Sequence, residues 1–589
     1  MDVSRRDLLK GGVVLAAGAA ASAAVGMAGC ASDNASSSAG ETASFLPETW
    51  DYEADVVVLG FGVAGATAAT TAERAGASVI VVERDTFDSR LSNTRMSGGL
   101  IHCPDGDGKA LRQYLRCMFD GGNLPGMSEG EYSPLFIDDM VDKFAELQPG
   151  LLDFVSSLDP DIMFNRFGGA AFPTFPGAEE SGYAVYAPSF AEETTTVHGN
   201  HLDKLETSWG QALMMAFETE LIDNELVTFL WDTYGEGLIQ NEAGEVIGLK
   251  ALSGGPEGDP VYIKAKRGVV LASGGYEYNE EMRRAFIEGP AVSGWAFYGT
   301  PSNTGQGILM GLKAGAQMLK ASKCSCRMIF ACPDVEFNGL RFGLNTDASV
   351  GTEGTYCVNA YGNRFIDETK FTKDPSRYFS YKEAVHMDIT ELDYPNVPSY
   401  LIFDDVRRQK GALASELWGL IPFEWDDLNE EAINAGWILK ADTLEELAEL
   451  IRSSHEDNAG RMSAENLLAA NAQYNEACET GVDTAFGRVP KASTNAYTEG
   501  ETGWTKCETP PFYAMPLVAG GPNTKGGLLT NADRNVVDWS NNPIPRLYSA
   551  GEMSSCFKWV YQSGGNITEG LVCGQIAGEN VAAEEPWSE

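Results

Sequence analysis

A glycine-rich turn between a short strand and a helix constrains the fold of this chain more than any other feature. Residues 55–59 read DVVVL, an apolar and β-branched run. Gly60, Gly62 and Gly65 follow with the spacing G-x-G-x-x-G, and an Ala-rich segment leads to a second apolar run that ends in Glu83. Such glycines permit a tight turn, close approach of backbone to a pyrophosphate, and packing of helix on strand, while the acid accepts from a ribose hydroxyl. The sequence therefore predicts a Rossmann-like α/β fold that binds a dinucleotide.

The composition indicates a folded and strongly acidic chain. Of its 589 residues, 43% are hydrophobic and 10% are aromatic, which is enough to build a large core and argues against disorder in the bulk of the chain. Lys and Arg number 42 against 84 Asp and Glu, a net charge of −42. Nucleic acid binding needs cations that neutralise phosphates, so this excess argues against a nucleic acid partner.

The N-terminus predicts export. The pair Arg5-Arg6 precedes a moderately apolar stretch rich in Ala and Gly at residues 11–28, a pattern typical of the twin-arginine route, which carries folded proteins. Met27 to Cys30 resembles a lipoprotein box, so the thiol of Cys30 is either lipidated or left free. We expect the mature protein in the periplasm or on the outer face of the cytoplasmic membrane, touching the membrane only through such an anchor.

Further glycine-rich runs indicate FAD rather than NAD. Residues 93–99 (NTRMSGG) offer small side chains and bare backbone where a flat isoalloxazine ring could lie. The runs 267–275 and 547–552 are strands that end in glycines, and 564–566 open a helix whose N-terminal dipole would face the electron-rich end of a reduced flavin. The candidate cofactor-binding residues are Gly60, Gly62, Ala64, Gly65, Glu83, Arg84, Asn93, Thr94, Ser97, Gly98, Gly99, Gly274, Gly275, Gln306, Glu552, Asn566 and Ile567. No motif places a His or Cys for a covalent flavin linkage, so we predict noncovalent FAD.

Two other patterns carry structural expectations. The runs 227–231, 237–240 and 246–249 predict an antiparallel meander. A group of four cysteines could ligate an iron–sulfur cluster, form a disulfide or simply be buried. Their spacing matches no standard ligand pattern, so we predict small buried side chains and no metal site. The four are Cys324, Cys326, Cys332 and Cys357.

Together these motifs resemble the flavoprotein family of soluble fumarate reductases and 3-ketosteroid dehydrogenases. The resemblance adds the runs YGNRFIDE (361–368), TKGGL (524–528) and GGN (564–566), and it covers residues 51–582. It implies an FAD-binding domain that is interrupted by an α+β capping domain. In the family the interruption follows a Gly-Asp-Gly turn, and this chain has Gln306 in place of the acid. The expected division is an export signal at 1–30, a Ser-rich linker at 31–50, the FAD-binding domain at 51–322 and 516–589, and the cap at 323–515. Within the cap, the capping box Thr443 to Glu446 predicts one helix start, and a second helix is expected from Ser463 to Thr480.

The resemblance also bears on the substrate. Fumarate reductases hold a dicarboxylate with a His before TMGG and an Arg before LGGN, where this chain has Asn523 and Gln562. In the ketosteroid branch a tyrosine, followed four residues later by a glycine, binds the 3-oxo group. Tyr561 and Gly565 have that spacing, and Ser563 has the position of a proton-transferring serine.

Such a site suits the hydride chemistry of an enone, because enolate charge that develops on oxygen is stabilised by nearby donors. Tyr561 and Ser563 could equally only pack beside the flavin. Arg377 and Tyr378 of the cap are further proton-donor candidates.

A separate electron donor is expected, since the chain has no second dinucleotide motif and no covalent haem motif. That partner would be a cytochrome, a quinol-linked protein or a flavoprotein. The favoured hypothesis is an exported FAD-dependent ene-reductase that uses an enone or enoate as electron acceptor, although the same residues would serve the reverse reaction. Two alternatives stay open: a fumarate reductase-like enzyme of a carboxylate substrate, and a flavin-containing substrate-binding lipoprotein.

Overall fold

The computed structural model describes residues 46–587, apart from 123–135, 170–171, 191–208, 290–293, 347–348, 370–380, 417, 489–504, 558–559 and 563. The predicted export signal, Cys30, Arg377, Tyr378 and Ser563 therefore lie outside the described residues. The strands are β1 (Tyr52–Leu59), β2 (Val79–Val82), β3 (Ile101–Pro104), β4 (Met163–Gly169), β5 (Tyr183–Ser189), β6 (Val227–Leu230), β7 (Thr233–Gln240), β8 (Val246–Ser253), β9 (Asp259–Leu271), β10 (Trp295–Phe297), β11 (Met318–Phe337), β12 (Leu340–Leu344), β13 (Thr355–Val358), β14 (Ser399–Asp404), β15 (Leu439–Ala441), β16 (Phe512–Leu528), β17 (Asn535–Val537) and β18 (Pro543–Ser549).

The helices connect these strands and cover their faces. They are α1 (Val63–Arg74), α2 (Leu111–Asp120), α3 (Ile137–Leu147), α4 (Leu151–Ser156), α5 (Trp209–Leu221), α6 (Glu280–Phe286), α7 (Gln306–Lys313), α8 (Tyr381–Ala384), α9 (Asp405–Arg408), α10 (Glu430–Asn434), α11 (Leu444–Ser454), α12 (Ala464–Thr480) and α13 (Gly565–Ala583). Two predicted helix starts are confirmed, because Thr443 caps α11 and Ser463 caps α12 through their side chains.

Strand β1 lies in the middle of the first sheet, whose order is β17-β18-β9-β1-β2-β6. It pairs in parallel with both β2 and β9, and β9 pairs in parallel with β18. Val57 and Leu59 pack into one hydrophobic core and Val56 and Val58 into another, so both faces of β1 are covered. This explains why the strand reads as an unbroken apolar run rather than an alternating one. The predicted α/β fold is confirmed.

The predicted meander is partly wrong. β7, β8 and β9 form an antiparallel meander, but β6 pairs in parallel with β2 at the sheet edge. The apolar content of residues 227–231 suits a strand of an antiparallel meander as well as a parallel edge strand. Only the position of β2 in the folded sheet decides between the two. The local pattern therefore predicted the strand β6 correctly, but it predicted the wrong pairing partner for it.

A second sheet has the order β10-β12-β11-β16-β14-β13, with β15 also paired to β16. Its long strands β11 and β16 are antiparallel neighbours. The predicted domain boundaries at 322 and 516 both fall inside these strands, and the domain division stays a prediction. A third, antiparallel sheet has the order β3-β5-β4.

The four grouped cysteines are buried side chains of the second sheet. Cys324, Cys326 and Cys332 lie on β11 and Cys357 on β13, and all four are free thiols. Among the residues that the structure describes, no group of three or more His, Cys, Asp or Glu side chains could hold a metal ion. The described helices include none that is long and apolar enough to cross a membrane.

Candidate active site

A cavity of about 520 Å³ opens at the carboxyl ends of the parallel strands of the first sheet. The structure brings nearly all of the predicted cofactor residues together here. Those that line the cavity are Gly60, Gly62, Ala64, Glu83, Arg84, Asn93, Thr94, Ser97, Gly98, Gly99, Gly274, Gln306, Glu552, Asn566 and Ile567. Gly65 and Gly275 do not line it. They are required instead for packing behind the cavity wall.

The turn after β1 is a backbone cradle that side chains would fill. Gly60 has a φ of 100°, and a Cβ there would lie 2.6 Å from the carbonyl oxygen of Ala272. A Cβ on Gly65 would lie 2.0 Å from the carbonyl oxygen of Gly60. Gly62 forms the N-cap of α1, where the first backbone N–H groups of the helix have no intrahelical acceptor. This arrangement fits a pyrophosphate.

Glu83 has the contacts expected of the acid at the end of β2. The backbone N–H of Phe61 donates to its Oε2 at 2.7 Å, and that of Asp85 donates to its Oε1 at 3.1 Å. Burial, with the nearby charge of Asp85, raises the pKa of Glu83 to about 7. The adjacent Arg84 donates to the carbonyl of Ser302 at 2.7 Å. The carboxylate is therefore held in place and close to its point of ionisation at neutral pH.

A pair of glutamates, Glu277 and Glu552, lies next to Gly275, and of the two only Glu552 lines the cavity. Thr524 Oγ1 lies 3.4 Å from Glu277 Oε2 and 3.2 Å from Glu552 Oε1, and Asn93 Nδ2 lies within hydrogen-bond distance of both carboxyl groups. A Cβ on Gly275 would lie 2.0 Å from Glu552 Oε1, so only glycine fits there. Burial and mutual repulsion raise the pKa of Glu552 well above its usual range, and burial raises that of Glu277. Ionising one carboxyl group therefore makes ionisation of the other less favourable.

Tyr561 lies at the other end of the cavity, beside the N-terminus of α13. The side chain of Asn566, in the first turn of that helix, donates to Asn523 Oδ1 at 2.8 Å. The N–H of Gly565 donates to the carbonyl of Gln562 at 2.8 Å, and Gly565 does not line the cavity. The first-turn residues that do face it are Asn566 and Ile567. The predicted partner of Tyr561 in binding an oxygen is therefore engaged within its own turn.

Gln562, at a fumarate-type position, and Glu368, in the family run 361–368, have internal partners. Gln562 accepts from Tyr114 Oη at 2.6 Å and contacts His102, whose pKa burial holds well below its usual range. Glu368 forms buried ion pairs with Arg364 and Arg488, away from the cavity. These contacts give both side chains a structural role.

The sequence did not predict three cavity residues from the second sheet and the segments next to it. They are Arg327 on β11, Tyr298 directly after β10, and Trp418 outside the strands. Arg327 is 1% exposed, and its Nη2 donates to Tyr298 Oη at 2.7 Å. An arginine in the middle of an apolar strand was the available signal, since a buried cation usually has a function or a fixed partner.

Comparison with known proteins identifies the family. A family model described as an FAD binding domain matches residues 55–568. The 3-oxosteroid 1-dehydrogenase of Mycolicibacterium smegmatis is 26% identical over 90% of this chain and 97% of its own.

Solved structures share the fold. The 3-ketosteroid Δ1-dehydrogenase of Sterolibacterium denitrificans, in complex with 1,4-androstadiene-3,17-dione, has a TM-score of 0.71 at 22% identity, covering 90% of this chain and 99% of that one. A flavocytochrome c3 fumarate reductase has a TM-score of 0.56 at 21% identity, covering 90% and 78%.

The observed cradle fits FAD: Gly60 and Gly62 would hold the pyrophosphate, Glu83 would accept from the ribose, and Gly98, Gly99 and Asn566 would contact the flavin. When bound, FAD supplies the hydride donor or acceptor. The chain belongs to the FAD binding domain family and is an FAD-dependent oxidoreductase that acts on CH–CH bonds.

Proposed function

We propose that the enzyme reduces a carbon–carbon double bond conjugated to a carbonyl group, with Tyr561 as the donor to the carbonyl oxygen. The observation that carries the proposal is the position of Tyr561 in the cofactor cavity, beside the N-terminus of α13. Hydride addition to the β-carbon of an enone moves negative charge to the oxygen. A phenol O–H aimed at that oxygen stabilises the charge only as it develops, which lowers the barrier.

The second donor is the N-terminus of α13 rather than Gly565. Because the N–H of Gly565 donates to the carbonyl of Gln562, we assign the role of backbone donor to Asn566 and Ile567, the residues of the first turn that line the cavity. The helix dipole adds positive potential at the same point. The proton for the α-carbon is assigned to Ser563, with Arg377 or Tyr378 as the alternatives.

Replacing Tyr561 by Phe tests this role. The variant keeps the ring and loses one donor, so we expect turnover of an enone to fall roughly 100-fold while FAD content stays unchanged. The measurement is reoxidation of the dithionite-reduced enzyme by enones, monitored by flavin absorbance. The exposed Tyr52 on β1 provides the control variant Tyr52→Phe. Equal rates in Tyr561→Phe and wild type would contradict the proposal, and an absence of any substrate-dependent reoxidation would favour a binding protein.

A second candidate is the reduction of an enoate, and Arg327 favours it. Its buried guanidinium lies in the cavity wall beside Tyr298, where it could bind a substrate carboxylate in bidentate fashion. Cinnamate and its methyl ester separate the two candidates. A preference for the acid that is lost in Arg327→Met supports the enoate, whereas preference for the ester supports a neutral ketone or ester. Asn523→His with Gln562→Arg should damage activity on a neutral ketone, because the new arginine would lack a partner.

The remaining proposals concern the setting of the enzyme. The twin-arginine pattern supports export, the lipoprotein box supports an anchor at Cys30, and the lack of a linkage motif supports noncovalent FAD. A separate cytochrome, quinol-linked protein or flavoprotein would supply electrons. Denaturation in acid should release all of the flavin, and flavin that stays with the chain would contradict noncovalent binding.

A further inference from the structure

A buried lysine lies directly behind the proposed oxygen-binding side chains. Lys525 is on β16 and only 2% exposed, and its ammonium nitrogen lies 5.0 Å from the centre of the Tyr561 ring and 5.9 Å from that of Phe557. A cation at this distance from an aromatic ring, in surroundings that exclude water, interacts strongly with charge on that ring. Lys525 is therefore placed to act on Tyr561.

The ammonium group also fixes Asn566. Its Nζ contacts Asn566 Oδ1, which leaves the side-chain amide N–H of Asn566 to donate to Asn523 at 2.8 Å. Since Asn566 is in the first turn of α13 and lines the cavity, the lysine determines how this residue is oriented. One cation therefore contacts the two side chains on either side of the proposed oxygen site.

Glu569 balances the charge on the opposite side. Its Oε2 lies 3.6 Å from Lys525 Nζ and accepts from Ser555 Oγ at 2.9 Å, while Ser555 Oγ accepts from the lysine at 3.2 Å. Glu569 is 1% exposed and does not line the cavity. The ion pair is thus oriented, with its positive end toward Tyr561 and its negative end away.

We propose that Lys525 is a positioning residue that acts through Tyr561 and Asn566, making the oxygen site selective for a negatively charged oxygen. As the phenol of Tyr561 donates to an enolate, electron density shifts onto its ring and oxygen, and the cation beside the ring stabilises that shift. The substrate class that benefits is one whose oxygen gains charge during reaction, a conjugated ketone or ester. This inference rests on the proposed role of Tyr561.

Phenols test the inference without turnover, because a phenolate resembles an enolate in shape and charge. The probes are fluorinated phenols of graded acidity added to the FAD-loaded enzyme, with affinity and ionisation state read by fluorine NMR. We expect the wild type to bind the ionised form and to bind more acidic phenols more tightly. The neutral control ligand is 4-fluoroanisole.

Removing both charges separates an electrostatic role from a structural one. Lys525→Met alone would leave Glu569 buried without its partner and could fail to fold, so the main variant combines Lys525→Met with Glu569→Gln. We expect this double variant to lose about 10-fold in phenolate affinity and to bind 4-fluoroanisole as the wild type does. Glu569→Gln alone retains the cation and should bind phenolates at least as well as the wild type, and Lys525→Arg should keep most of the affinity.

Each outcome has a distinct meaning. Wild-type phenolate affinity in the double variant, or an equal loss in Glu569→Gln and the double variant, would overturn the role of Lys525 and leave only a structural ion pair. Tyr561→Phe serves as the separate test of the proposed function. If Tyr561→Phe binds phenolates as tightly as the wild type, the proposed function fails. If Tyr561→Phe loses phenolate affinity and the double variant does not, only the inference about Lys525 is refuted.

Discussion

At the scale of single residues, we expect Glu83 to make FAD binding depend on pH. Its pKa of about 7 means that the carboxyl group gains a proton as the pH falls through neutrality. The ionised form is the better acceptor for a ribose hydroxyl, so FAD affinity should fall from about pH 8 to about pH 6, by at most about 10-fold per pH unit. Fluorescence titration of the apoprotein with FAD measures this dependence.

Glu83→Gln supplies the comparison. At about pH 8 the variant should bind FAD less tightly by about 1–3 kcal/mol, the contribution of one charge-assisted hydrogen bond. Near pH 7 its affinity should not change with pH. A variant that retains the wild-type pH dependence would assign that dependence to another group.

The glutamate pair makes a second prediction at this scale. The folded protein raises the pKa values of Glu277 and Glu552. Ionising the pair therefore costs more free energy in the folded state than in the unfolded state. That cost is absent below the unfolded value of about 4.5 and grows as the pH rises toward the folded values. Glu552→Gln should therefore stabilise the apoprotein relative to the wild type, by on the order of 1 kcal/mol at about pH 8 and less at about pH 5.

Denaturant midpoints at the two pH values check this expectation. Glu445→Gln, at an exposed position on α11, is the control and should show no pH-dependent difference. A stability difference for Glu552→Gln that is equal at both pH values would mean that the folded protein does not raise the pKa of this pair.

At the scale of elements, α1 and α13 pack closely on each other, and both contribute residues to the wall of the cofactor cavity. Gly570, Gly574 and Gly578 of α13 face α1, and a Cβ on Gly574 would lie 2.6 Å from Thr67 Cβ and 2.7 Å from the carbonyl oxygen of Ala64. Gly574→Val would force the helices apart. We expect a loss of about 1–3 kcal/mol in stability together with a loss of bound FAD.

Glu579→Val is the matched control for this contact. It places the same β-branched residue at an exposed position of the same helix, so it measures the cost in helix propensity alone. FAD content and thermal midpoint of the two purified variants give the comparison. Similar values for both would show that the helices can accommodate the added side chain.

Local sequence predicted the elements whose causes are local. β1, the turn at Gly60, and the caps at Thr443 and Ser463 depend on residues within a few positions, and the structure has them as expected. The partner of β6 depends on β2, far away in the chain, and was predicted wrongly. The same reason explains why the Glu277–Glu552 pair and the contact of Lys525 with Tyr561 were missed, since each joins residues that only the folded sheets bring together.

At the scale of the whole molecule, the net charge of −42 affects how electrons reach the enzyme. A field of this sign raises the local concentration of cationic donors and is screened by salt. The rate of reduction by methyl viologen radical cation should fall severalfold between low and high ionic strength. The control is a disulfonated viologen, which is neutral when oxidised and carries one negative charge when reduced, so its rate should rise rather than fall with ionic strength. Equal salt dependence for both mediators would mean that the charge does not steer the encounter.

The cradle is assembled from both ends of the described chain. Gly60 follows β1, whereas Asn566 and Gly570 belong to α13, and all three line one cavity. During synthesis the β1 turn leaves the ribosome early, yet it has no opposite wall until α13 has emerged, because translation proceeds from the N-terminus. We therefore expect a nascent or prematurely terminated chain that lacks α13 not to retain the cofactor. Yellow colour in a purified sample would then report that translation proceeded beyond α13, so flavin occupancy would measure the integrity of the chain as well as its capacity for catalysis.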